Sequence, residues 1–397
     1  MTSRTLRLPL AAGVALLLLA GLAVAPARAS LSSVVDGVLG RYIVTLDDGV
    51  GDPAAVARRQ AGALGGTVDR VFRTALKGYS TSLPQALLSR LLADPLVAGV
   101  EPDVQVKLAA TQVDPPYGLD RIDQRDLPLS RSYTYGTGGS GVRAYVIDSG
   151  TRRDQPDFLN RVAPGYNVFD RSTDAFDCNG HGTHVAGILA GSTYGVAKGA
   201  TVVPVKIFRC TDSTPLSAIL AGVDWVTADH RPGQPAVANL SLGAGSSAAL
   251  DQAVAALSDD GVAVAVAAGN EAADACAGSP ARVPQVLTVA ATDVSDAMAG
   301  FSSFGPCVDL FAPGVRITSA DLRSNGSSTM SGTSMAAPHV AGALAREMGL
   351  SGTTAQQAQA RVLAQATTGR VKGAEQTCAL LILGCRPATP NRLLYTG

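Results

Sequence analysis

Four short, almost wholly apolar runs constrain this chain most: Val142–Ile147, Thr201–Ile207, Ala236–Ser241 and Val262–Ala267. None shows the in-and-out alternation of a strand with one wet face. Between the later runs, Ala218–Thr227 and Ala248–Ser258 carry apolar residues at helical spacing. Strands that have lost their alternation are buried on both sides, and helices interposed between them supply the cover. The pattern therefore predicts an α/β fold, a mostly parallel central sheet flanked by helices on both faces. In such sheets reactive residues gather at the carboxyl ends of the strands.

Upstream the pattern changes. Within 30–109, Arg41–Leu46 and Gly78–Leu83 read as strands, as do Val97–Glu101 and Val104–Val106. Asp52 is placed to cap a helix from Ala54 to Leu64, which Gly65-Gly66 stops, and a second helix runs from Pro84 to Leu92. This is a small α+β module without cysteine. It ends in the small-residue stretch Leu108–Thr111, which suits proteolytic nicking. Ahead of it, Arg4 and Arg7 precede an apolar run from Leu8 to Val24, and Ala27-Arg28-Ala29 has the form of a signal-peptidase site. The expected organisation is a signal peptide over 1–29, the α+β module over 30–109 and the α/β domain over 110–397. The alternative, an uncleaved membrane anchor, is disfavoured by Pro9, Pro26 and the cleavage-like triplet. No later stretch is long and apolar enough to span a bilayer.

With 32 Lys+Arg against 32 Asp+Glu, the chain has no charge excess with which to attract nucleic acid. Its six cysteines (Cys178, Cys210, Cys276, Cys307, Cys378 and Cys385) are an even set in an exported chain, which favours disulfides. Many pairings are open. Pairing in sequence order closes short loops, and a loop of about thirty residues would stabilise the fold by roughly 3–4 kcal/mol.

Three motifs carry chemistry. Asp148 ends the run Val142–Ile147 and precedes Ser149-Gly150. His181 lies in Asn179-Gly180-His181-Gly182-Thr183-His184, a glycine-rich turn leading into a helix. Ser334 lies in Ser331-Gly332-Thr333-Ser334-Met335-Ala336-Ala337-Pro338, again a turn feeding a helix. A serine hydroxyl becomes a useful nucleophile when an imidazole accepts its proton, and a carboxylate holds that imidazole in the required tautomer. A helix starting at Ser334 would turn free N–H groups towards a developing oxyanion. Asn270, closing Val266-Ala267-Ala268-Gly269-Asn270, offers a side-chain amide as a second donor. Taken singly, each has a plainer reading: a turn aspartate, core histidines at His184 and His339, or a Cys178/His181/His184 metal set. The serine motif lacks the second glycine of a nucleophile elbow, which argues against an esterase.

In the order Asp, His, Ser, these motifs resemble those of the subtilases (subtilisin-like serine proteases), most closely the proteinase K and aqualysin branch. The resemblance runs from about Pro115 to Tyr395. Gly118–Arg125 and Asn391–Tyr395 contribute to it, and 30–109 resembles the inhibitory propeptide of that family. It implies a secreted endopeptidase acting on protein and peptide substrates, made as a self-inhibited precursor, monomeric and free of the membrane once processed. Its implied triad is Asp148, His181 and Ser334, with an oxyanion hole at Asn270 and Ser334. Substrate backbone would add as a strand between Ser241-Leu242-Gly243 and the segment holding Ser213 and Thr214. Ala267-Ala268-Gly269 would line a roomy primary pocket with broad apolar or aromatic preference.

The resemblance also implies the bridges Cys178–Cys210 and Cys276–Cys307, with Cys378–Cys385 found in some relatives. It implies structural calcium as well: one site from the Pro284 and Val286 carbonyls with Asp309, another using Asp120, Asp123 and Gln124. Two rivals remain from other classes. One is a catalytically inactive binding protein on the same fold; the other is a transferase or cyclase on that fold, for which no capping insertion is visible.

Overall fold

The computed structural model describes residues 37–104, 110–350, 352–375, 377–378 and 385–397. The proposed signal segment, and Leu108 and Ala109 of the expected cleavage junction, lie outside the described residues. The chain divides into two compact units, Met1–Val106 and Lys107–Gly397.

The first unit is a four-stranded antiparallel sheet in the order Thr67–Phe72, Gly78–Ser82, Gly37–Leu46, Val97–Val104. The helix Pro53–Ala63 begins as expected. Asp52 accepts hydrogen bonds from the N–H groups of Ala54 (3.0 Å) and Ala55 (3.2 Å), and the chain leaves the helix through Gly65 at φ 66°. The helix buries Val56, Ala57 and Ala61 into a core with Val44, Tyr79 and Leu91. Val97–Val104 is a strand that takes in the expected Val97–Glu101, while Gln105 and Val106 of the expected Val104–Val106 strand lie outside the described residues; Thr67–Phe72 is a strand the sequence reading lacked. Thr67–Phe72 lies at the edge of the sheet and is largely exposed, so it needs little of the apolar patterning by which strands are recognised.

The second unit is built on a nine-stranded sheet. Its order is Thr367–Thr368, Arg392–Leu393, Leu310–Pro313, Leu287–Thr292, Ala263–Ala267, Ala236–Leu240, Arg143–Asp148, Thr201–Lys206, Tyr166–Asn167. Every pairing is parallel except that of Thr367–Thr368 with Arg392–Leu393. The four runs read as buried strands are adjacent at the centre, and Ala236–Leu240 and Ala263–Ala267 are buried at every position. The helices Leu216–Asp229 and Ala248–Asp259 pack over one face. The helices His181–Ala190 and Thr333–Met348 cover the other. Arg143–Asp148 is the point where the winding reverses: the chain lays Tyr166–Asn167 and then Thr201–Lys206 on one side of it, then crosses to Ala236–Leu240 on the other. A crevice opens at the carboxyl end of such a strand, and Asp148 stands there. Among the described residues, no helix is long and apolar enough to cross a membrane.

Candidate active site

Asp148 is almost fully buried and faces His181, whose Nδ1 lies 2.8 and 3.0 Å from the two carboxylate oxygens. The contact fixes Nδ1 as the protonated nitrogen and leaves Nε2 to accept. Burial is the largest single influence and pulls the imidazole pKa down, but the Asp148 charge and hydrogen bond, together with the charges of Asp177 and Asp212, outweigh it and the net shift is upward. The ring keeps an open edge, with 32% of its side-chain surface exposed. His181 is the first residue of its helix, and Gly180 before it sits at φ 112° in a conformation that favours glycine.

Ser334 is the second residue of the helix Thr333–Met348. Pro338 lies four residues on and has no N–H to give, so the Ser334 carbonyl is left without its helical partner. Ser241 fills that gap: its hydroxyl donates to the Ser334 carbonyl at 2.7 Å, and the Ser334 hydroxyl donates to the Ser241 carbonyl at 3.2 Å. Ser241 follows the strand Ala236–Leu240, which is hydrogen-bonded to the strand that ends in Asp148. Adjacent strand ends thus carry the acid and the group that anchors the serine.

Asn270 is oriented by a residue the sequence reading did not assign. Its Oδ1 accepts from the Thr333 N–H (2.8 Å) and the Thr333 hydroxyl (3.0 Å). The carbonyl end is therefore spent, and Nδ2 is left as the free donor of the amide. The Ser334 N–H, in the first turn of its helix, has no acceptor among the described residues.

Ala267, Ala268, Gly269 and Gly243 line one pocket of about 340 Å³, floored mostly by alanine, glycine and serine. Gly269 is required there: it sits at φ 108°, and a Cβ would lie 2.6 Å from Glu271 Oε2 and 2.9 Å from Ser303 Oγ. Glu271 and Asp274 also line the pocket, and no basic side chain does. Neither acid was expected, because an acidic residue in a loop carries no sign of which cavity it faces. At the cleft edges, the hydrogen-bonded ladder of Ala236–Leu240 stops before Ser241, leaving Ser241, Leu242 and Gly243 outside it. Ser213 is exposed, while the Thr214 hydroxyl is spent on the Ile207 carbonyl.

The bridges Cys178–Cys210 and Cys276–Cys307 are both formed. Cys378 and Cys385 are cross-strand partners in backbone register, and their side chains lie outside the described residues. Cys178 is thereby removed from any metal set. His184 turns Nε2 to the carbonyls of Ile317 (3.1 Å) and Ser328 (3.2 Å), away from such a role. Among the described residues, no three His, Cys, Asp or Glu side chains converge as metal ligands.

The two expected cation sites differ. Asp309 accepts one backbone N–H, from Thr288 at 2.8 Å, through Oδ2, and its other oxygen takes no hydrogen bond. Burial pushes its pKa up, more than the Thr288 N–H and the Arg392 charge pull it down, so the charged form is only partly compensated there. A hard cation beside Asp309 and the Pro284 and Val286 carbonyls would supply it. The other set does not fit a cation as arranged. Asp120 spends both oxygens on Ser130 and Arg131, and Gln124 Oε1 accepts from the Ser130 N–H at 2.7 Å. Only Asp123 Oδ1 is left buried without a partner.

Family models match at two places: the subtilase family over residues 122–379, and the peptidase inhibitor I9 family over residues 41–109. The chain belongs to the subtilase family. It is 47% identical over 344 residues to the extracellular serine proteinase of Thermus sp. (strain Rt41A), covering 86% of this chain and 81% of that one. It is 45% identical over 320 residues to alkaline serine exoprotease A of Vibrio alginolyticus, covering 79% of this chain and 59% of the other. Among solved structures, a cold adapted subtilisin-like serine proteinase matches with a TM-score of 0.66 and 45% identity, over 71% of this chain and 98% of that one. The subtilisin-like architecture and the inhibitor module ahead of it are those expected from the sequence.

Proposed function

We propose that this subtilase is a secreted serine endopeptidase made as a preproenzyme. Residues 1–29 would direct export, 30–109 would inhibit the enzyme until removed, and 110–397 would be the mature protease. The observation that carries the reading is the Asp148–His181 pair, at 2.8 and 3.0 Å, with Asp148 at the end of the switch-point strand, next to the strand whose end anchors Ser334 through Ser241.

In this reaction His181 Nε2 takes the Ser334 proton as Oγ attacks the scissile carbonyl, and Asp148 stabilises the imidazolium that forms. The hydroxyl first turns from the Ser241 carbonyl to His181. The Ser334 N–H and Asn270 Nδ2 receive the oxyanion. One such side-chain donor is worth about 10²–10³ in kcat, a range that itself comes from a member of this family. His181 then returns the proton to the leaving amine, and water repeats the sequence on the acyl-enzyme.

Substrate backbone pairs with Ser241–Gly243 on one side and the Ser213–Thr214 segment on the other. The pocket at Ala267–Gly269 takes a large side chain, apolar or aromatic, with Glu271 and Asp274 at its walls. Asp309 with the Pro284 and Val286 carbonyls would hold a structural calcium, whose part is to neutralise that carboxylate and tie down the loop.

A fluorophosphonate probe tests the assignment of the nucleophile. Peptide mapping should find the label on Ser334 in the wild type and almost none in His181→Ala. Labelling at another serine, or labelling undiminished in His181→Ala, would remove the proposed chemistry from this site.

A further inference from the structure

Asp177 is fully buried, yet it belongs to neither the triad nor the oxyanion hole. Its oxygens accept five hydrogen bonds. Oδ1 takes the Asn179 and Gly180 N–H groups and the Ser149 hydroxyl, each at 2.9 Å. Oδ2 takes the Thr183 N–H at 2.9 Å and the Thr183 hydroxyl at 2.6 Å. Four of these donors come from the two sides of His181. The fifth, Ser149, follows Asp148 directly; its hydroxyl also accepts the Gly182 N–H at 2.9 Å, and its N–H donates to Asp148 Oδ1 at 2.7 Å. Behind the network, the buried Lys206 ammonium donates to the Ser149 carbonyl at 2.7 Å.

One carboxylate therefore fastens the turn that presents His181 to the turn that presents Asp148. A buried carboxylate is costly unless its lone pairs are filled, and here they are filled by three backbone amides and a hydroxyl of the His181 turn and by the hydroxyl of Ser149, next to Asp148. We infer that Asp177 is a positioning residue: through Ser149 and the Asn179–Thr183 amides it sets the distance and orientation of His181 relative to Asp148. The inference rests on the peptidase reading, since it concerns the efficiency of that site.

Asp177 also acts through charge. The groups bearing on His181 are Asp148, Asp177 and Asp212, which favour the imidazolium, and His184 one turn along the same helix, which is itself coupled to it unfavourably and lies near Asp321. Lys206 stands behind the network, and Arg152 aims its guanidinium away, at the 322–325 loop.

Two variants separate position from charge. Asp177→Asn keeps the shape but sets an amide against backbone donors and removes the charge. Ser149→Ala breaks the bridge to the Asp148 turn and leaves the charge. With active sites titrated, Asp177→Asn should lower kcat about 10–100-fold with KM within about threefold. The acid limb of its kcat/KM profile should move to lower pH. Ser149→Ala should lower kcat by a smaller factor and leave the acid limb where it is. Asp177→Asn with kcat within twofold of wild type, or with KM rising as much as kcat falls, would overturn the inference.

Slow maturation of a variant is met by a second readout in the Ser334→Ala background, which needs no turnover. The His181 Nδ1 proton resonance should shift and broaden with Asp177→Asn, and an unchanged resonance and imidazole titration would likewise overturn it. If the wild type hydrolyses no peptide at all, it is the peptidase reading that fails. The resonance still reports whether Asp177 holds the pair.

Discussion

Single residues carry this site because each has been stripped of alternatives. Asn270 presents Nδ2 because Thr333 occupies its carbonyl, and Ser334 is tied to Ser241 because Pro338 cannot supply a helical N–H. Asp148, His181 and Ser334 were legible because glycine-rich turns and a strand end surround them, and those contexts have few structural uses. Asp177, Thr333 and Glu271 were not legible, because an aspartate, threonine or glutamate in a loop reads as a turn residue until the fold shows what it faces. Glu271 makes a prediction at this scale. Its carboxylate lines the Ala267–Gly269 pocket with only a 3.4 Å contact from the Ser303 hydroxyl, so it is available to a cationic side chain. Glu271→Gln should lower kcat/KM for a peptide with lysine before the scissile bond by about 3–10-fold, and leave the phenylalanine analogue within about twofold. Equal losses for both peptides would show that Glu271 is structural.

At the scale of elements, the central strands and their helices could be read directly, because burial on both faces demands continuous apolar runs. The expected Ala218–Thr227 and Ala248–Ser258 helices are the cores of Leu216–Asp229 and Ala248–Asp259. The strands Leu287–Thr292 and Leu310–Pro313 were not singled out; Leu310–Pro313 has only four residues, and threonines break the apolar run of Leu287–Thr292. The helix Thr333–Met348 carries Pro338 in its interior, where proline normally costs stability. Here the missing donor frees the Ser334 carbonyl for Ser241. Pro338→Ala would restore the helical bond and compete with that link. It should leave the melting temperature equal or higher and reduce kcat several-fold, read from matched melts and steady-state assays. An unchanged kcat would mean that the Ser241 contact does not position the nucleophile.

At the scale of the whole molecule, stability should depend on two histidines outside the reaction. Burial depresses the pKa of both His184 and His339 from 6.5 to about 4. The folded state therefore holds fewer protons than the unfolded chain below pH 6.5. The stability they contribute is complete above that value and is lost as pH falls from about 6.5 towards 4. Each proton contributes a slope of about 1.4 kcal/mol per pH unit inside that window. Melting temperatures of the Ser334→Ala protein should fall steeply over this range, and His339→Gln should flatten the slope if it folds. In the same melts, a calcium chelator should lower the melting temperature of the parent and have no effect on Asp309→Ala. A flat profile between pH 6.5 and 4 would mean that other groups dominate acid unfolding.

The central claim is that the chain processes itself and then cleaves proteins through Ser334. The direct measurement is to express the wild type and Ser334→Ala without residues 1–29, weigh each chain by mass spectrometry, and assay casein hydrolysis. The wild type should shorten to a species starting near Ala110 and degrade casein, while Ser334→Ala stays full length and inert. If both fold, remain full length and leave casein intact, the triad does not act as a protease here, and a binding protein on the subtilase fold becomes the better description.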